Sequence, residues 1–137
     1  MRALRIFILL GPILGLGAAD EGVSVVHIVG LSYPLLAHFG ELQGTVKLAL
    51  TVGPDGAVRS VRRVSGNGLL ADDATNTLMV WTFSHCGRDS GNCEYPMSVE
   101  FVLRSGPANI SECKTEFTFD NPGRITVVSE HARAIVD

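Results

Sequence analysis

The sequence predicts a small two-layer α/β sandwich: an antiparallel sheet of about three strands with two helices on one face, plus a C-terminal β extension. Three observations carry this prediction. In Gly44–Val52, Val46, Leu48, Leu50 and Val52 alternate with Thr45, Lys47, Ala49 and Thr51, the period-two pattern of a half-buried strand. Leu70, Ala74, Leu78 and Trp81 then recur at helical spacing on one face. Pro96–Leu103 alternates again, with Met97, Val99, Phe101 and Leu103 inward and Ser98, Glu100 and Val102 outward.

Residues 1–19 stand apart from that fold. Met1–Arg5 is a short basic head, Ile6–Leu16 is almost wholly apolar, and Gly17-Ala18-Ala19 supplies small residues before Asp20-Glu21. This is the layout of a secretory signal peptide cleaved after Ala19. As a helix, Ile6–Ala19 would reach only about 21 Å, against a hydrocarbon core of about 30 Å, which argues against a retained anchor.

The remaining elements follow in order. Residues 20–31 read as a short extended segment, valine-rich and without helical period. Ser32-Tyr33-Pro34 opens a short helix, with Leu35, Leu36 and Phe39 on an apolar side and Gly40 to stop it. Gly53-Pro54-Asp55-Gly56 is turn chemistry, returning the chain into Ala57–Ser65. Val58, Val61 and Val64 lie three apart there, so a bulge near Ser60 is needed to restore one inward face. Asn67 is placed to cap the second helix, and Asp72 and Asp73 are expected in its first turn, where the helix dipole favours negative charge. Both helices are expected to cover the face made by Val46, Leu48, Leu50, Val99 and Phe101, leaving Thr45, Lys47, Thr51 and Arg59 to water. That sets the domain at 32–104. In 105–137, Phe117 and Phe119, the turn residues Asp120-Asn121-Pro122-Gly123, and Ile125 and Val127 read as a second hairpin.

Composition narrows the function. Removing residues 1–19 takes away Arg2 and Arg5 and moves the formal charge from −3 to −5. Basic residues cluster only at Arg59, Arg62 and Arg63, which is not the footprint of a nucleic-acid binder. Three cysteines remain: Cys86, Cys93 and Cys113. In an oxidising compartment two should be bonded. Cys86 and Cys93 bracket a polar, turn-rich run whose closure is worth about 2.5 kcal/mol on the chain-entropy model, leaving Cys113 free or competing for either partner. His85, Cys86 and Cys93 are too few, at the wrong spacing, for structural zinc. Asp72-Asp73 diverge by about 100° on a helix and cannot share a substrate. There is no phosphate-cradling loop, nucleophile elbow or HExxH, so neither an enzyme nor a cofactor is expected.

The order of features carries a resemblance. Tyr33-Pro34, Gly44-Thr45-Val46, Pro54-Asp55-Gly56-Ala57-Val58, Val64-Ser65-Gly66, Leu69-Leu70 with Ala74, and Trp81-Thr82-Phe83 precede an alternating strand ending at Leu103. Over about residues 32–103 this resembles the TonB C-terminal domain family. The resemblance implies a non-enzymatic periplasmic domain whose protein partner is an outer-membrane TonB-dependent receptor, with a homodimer as a further expectation. It implies docking by strand addition, an extended receptor segment pairing with the last strand of the sheet. On this chain that strand is Met97, Ser98, Val99, Glu100, Phe101, Val102 and Leu103. An open sheet edge there would supply unpaired N–H and C=O groups to such a segment. The chain departs from an energy transducer in its cleavable N-terminus and its short spacer, Asp20–Leu31, which spans at most about 40 Å. The alternating Phe117/Phe119 and Ile125/Val127 otherwise lack a burial surface, so the extension is expected to cover the Met97–Leu103 edge. That covering suits the alternative reading, an envelope structural or assembly protein with a self-capped sheet and no transport role.

Overall fold

A computed structural model describes residues 23–84, 91–120 and 123–132. In chain order the elements are β1 (Val25–His27), α1 (Leu35–Phe39), β2 (Gly44–Val52), β3 (Val58–Ser65), α2 (Gly68–Leu78), β4 (Thr82–Phe83), β5 (Cys93–Ser105), a 3₁₀ turn at Ile110–Glu112, β6 (Thr115–Asp120) and β7 (Arg124–His131). The main sheet has five strands in the order β3-β2-β5-β7-β6, and β1 pairs with β4 in a separate two-stranded sheet.

Alternation in β2 sends Val46, Leu48, Leu50 and Val52 into the core, with Thr45 and Lys47 exposed. The turn into β3 is held by local groups. The Asp55 carboxylate accepts from the Ala57 amide at 3.1 Å and from the Arg59 guanidinium at 3.2 Å. Gly56 has φ 90°, and a Cβ there would lie 2.0 Å from the Phe83 carbonyl oxygen, so no other residue fits. In β3, Ser60 and Val58 are the successive partners of Thr51 and Val52, which leaves Arg59 as the extra residue of a bulge. A second register shift leaves Val64 unpaired between Arg63 and Ser65.

The helices match the expectation in part. The Asn67 side chain caps α2, accepting from the Leu69 amide at 2.8 Å, and Leu70, Ala71, Ala74 and Leu78 face inward. Because the helix begins at Gly68, Asp72 and Asp73 fall in its second turn, exposed, and not in the first. Trp81 lies just beyond α2, buried, donating from its indole nitrogen to the Val29 carbonyl at 2.8 Å. In α1 the expected apolar side does not face the core: Leu35, Leu36 and Phe39 are 65%, 68% and 66% exposed, and the buried residue is Ala37. A five-residue helix presents one narrow strip inward, and a small side chain there lets its backbone approach closely. Tyr33, just ahead of the helix, supplies the bulk instead, its ring set edge-on against Phe101 at 5.4 Å.

β5 is longer than the Pro96–Leu103 stretch, starting at the buried Cys93. It pairs antiparallel with β2 from Val52↔Cys93 to Gly44↔Phe101. The extension then adds two strands, making the sheet five-stranded and mixed. β6 and β7 form an antiparallel hairpin, and β7 runs parallel to β5. One core unites Ala37, the inward residues of α2, and Val46, Leu48, Leu50, Tyr95, Met97, Val99, Phe101, Ile125 and Val127.

Candidate functional site

The strand Met97–Leu103 is central: the extension covers it as expected, through β7, so the open edge that the resemblance implied is already filled. On one side Met97, Ser98, Val99, Glu100 and Phe101 oppose Leu48, Lys47, Val46, Thr45 and Gly44. That ladder is extended by the Gln43 side chain, whose amide oxygen accepts from the Leu103 amide at 2.7 Å. On the other side Ser98 through Leu103 oppose Arg124 through Ser129, and the Ser98 amide donates to the Gly123 carbonyl at 2.8 Å. The side chains alternate as expected for Met97, Val99 and Phe101, which are buried, and for Ser98, Glu100 and Val102 on the opposite face, whereas Leu103 is only half-buried.

What closes the edge is apolar burial backed by polar latches. Ile125 and Val127 are fully buried on the core face of β7. Full burial of such side chains is worth about 1.5–3 kcal/mol each. Behind them, Phe117 and Phe119 of β6 stand edge-on to Trp81 at 6.3 and 5.5 Å. Ser129 is buried but satisfied, sharing a 2.8 Å hydrogen bond with the Thr115 hydroxyl. Gly123, with φ 78°, passes so close to β5 that a Cβ would lie 2.5 Å from the Pro96 carbonyl oxygen.

At the far end of the ladder His131 stacks on His38 of α1, ring centroids 5.3 Å apart. An imidazole nitrogen of His38 lies 3.1 Å from the Glu130 carbonyl, and His131 lies 3.9 Å from the Glu41 carboxylate. Arg104 reaches both Glu116 and Glu130, at 3.7 and 3.8 Å. Glu41, Gln43, Leu103, Arg104, Ser105, His131 and Ala132 line a cleft of about 390 Å³ there. Burial raises the Tyr33 phenol above its ordinary pKa, and its hydroxyl donates to the Leu42 carbonyl.

Of the cysteines, Cys93 is buried at the start of β5, Cys113 is free and half-buried, and Cys86 lies outside the described residues. Among the described residues no group of three or more His, Cys, Asp or Glu could hold a metal ion, and no helix is long and apolar enough to cross a membrane.

No curated protein sequence matches the chain. Among solved structures it is similar to the solution NMR structure of the Pseudomonas aeruginosa TonB C-terminal domain, at 15% identity and a TM-score of 0.49, covering 59% of this chain and 86% of that one. The model of the Gram-negative bacterial TonB protein C-terminal family matches residues 29–103, which takes in α1 through most of β5 and leaves β6 and β7 beyond it. With more than half of its length matched, the chain belongs to the Gram-negative bacterial TonB protein C-terminal family, whose domains interact with other proteins, outer-membrane receptors among them.

Proposed function

We propose that this protein is a periplasmic protein-binding module that engages an outer-membrane TonB-dependent receptor by strand addition along Met97–Leu103, with its own β7 holding that ladder until a partner displaces it. One observation carries the reading: Arg124–His131 pairs in parallel along Ser98–Ser105, in the position an added strand would take. Exchange is energetically feasible only if the incoming segment restores what β7 takes away. The segment must therefore run parallel to β5 and carry apolar residues at two alternate positions, followed by a small polar one, in place of Ile125, Val127 and Ser129. The occupied edge lowers apparent affinity by the fraction of molecules in which β7 is released. Export follows from the signal-like residues 1–19, and in that oxidising compartment the Cys86–Cys93 pairing is supported by Cys113 being the free thiol.

The second reading, an envelope structural or assembly protein with a permanently capped sheet, is favoured by the complete burial of Ile125 and Val127. Capture from outer-membrane extract separates the two. The full mature chain and an Ile125→Asp/Val127→Asp variant, which unseats β7, serve as baits. Strand exchange predicts receptor capture by the mature chain, with more on the variant. Capture of no receptor by either bait removes the transport reading and leaves the capped one.

A further inference from the structure

Among the described residues the five-stranded sheet ends in two strands with open edges, β3 and β6, and they carry opposite charge. β3 contributes Arg59, Arg62 and Arg63 and no acid, whereas β6 contributes Glu116 and Asp120 and no base. Part of this charge is used within the fold: Arg59 pairs with Asp55, Arg63 donates to the Gly66 carbonyl, and Glu116 lies near Arg104. The side chains of Arg62 and Asp120 are exposed and have no ion-pair partner among the described residues.

An open edge offers N–H and C=O groups to any strand that approaches it, and charge decides which strands can. Two β3 edges would bring three arginines against three, and two β6 edges would oppose carboxylates, both unfavourable. Only β3 against β6 is attractive. The bulges at Arg59 and Val64 confine the regular run of β3 to Ser60–Arg63, while β6 pairs without interruption over Thr115–Asp120. We propose that β3 of one molecule pairs with β6 of a second copy. This head-to-tail contact is heterologous and therefore builds rings or open chains, in place of twofold dimers. A run this short buries little surface, so the association is weak and transient, below the roughly 1,200 Å² of stable interfaces.

Sedimentation velocity of the full mature chain tests this. At low salt the mean mass should rise with concentration, and it should fall back in about 1 M salt, where the Debye length is about 3 Å. Arg62→Glu and Asp120→Lys, each at an exposed charge outside the ion pairs among the described residues, should each weaken self-association about tenfold or more, equivalent to about 1.4 kcal/mol. An equimolar mixture of the two variants should regain the association that each lacks alone, because the intact β3 of one can meet the intact β6 of the other. A chain that stays monomeric at every concentration overturns the proposal. So does association that survives high salt, or that only one of the two substitutions affects.

Discussion

Asp55 shows how much of a hairpin can rest on one carboxylate. The hydrogen bond from the Ala57 amide, and then the Arg59 charge, hold its pKa below the ordinary carboxylate value although the side chain is exposed. A carboxyl with a folded-state pKa below its unfolded value of about 3.9 stabilises the fold above that pH, and loses the effect as pH falls through the lowered value. Asp55→Asn should therefore lower the melting temperature slightly at neutral pH, and the gap to the unaltered chain should close as pH falls from the ordinary carboxylate range through the lowered value. Thermal melts across that range check both the gap and its closure. This turn was readable in the sequence because Asp55, Ala57 and Arg59, whose contacts hold it, lie within five residues. The inward strip of α1 was not, because Leu35, Leu36 and Phe39 look like core residues until the close approach of Ala37 is known.

Between elements, local capping and distant packing contribute on different scales. Asn67→Ala removes the α2 cap and should cost about 1 kcal/mol. Ile125→Ala opens a cavity beneath β7 and should cost about 2–5 kcal/mol. Urea unfolding of the two variants should preserve that order, and a cost for Ile125→Ala below that of Asn67→Ala would mean that β7 is not part of the cooperative core. The caps and strand alternations of β2, α2 and β5 were legible because they repeat within one segment. The position of β5 was legible only through the otherwise unburied Phe117/Phe119 and Ile125/Val127 of the extension, not in its own residues. Nothing in Met97–Leu103 itself distinguishes an edge strand from a central one, since its inward and outward residues alternate identically in both.

For the whole molecule, export and disulfide pairing make one joint prediction. Intact-mass measurement of the protein recovered from the periplasm, after alkylation without reduction, should give a chain starting at Asp20 and carrying one alkyl group, on Cys113. A chain retaining Met1 would refute cleavage, and three alkyl groups would refute pairing of Cys86 with Cys93. At this scale the sheet is one body whose two ends differ in charge, a property invisible in the mild overall acidity of −3. It arises because the arginines fall on β3, the strand of the opening hairpin that lacks a second neighbour, and the acids fall on β6, the outermost strand of the closing one.

The sequence alone determined the alternation of β2 and β5, the inward face of α2, the Asp55 turn and the Asn67 cap, because each depends on neighbours within one turn, one helix or one strand. Only the tertiary structure decided that β7, and not β6, is the strand of the extension that lies along β5, that it does so in parallel, and that β3 and β6 are the strands left open. Strand order is set by which apolar faces find burial across the whole chain, and Ile125 and Val127 could find it only beside Val99 and Phe101.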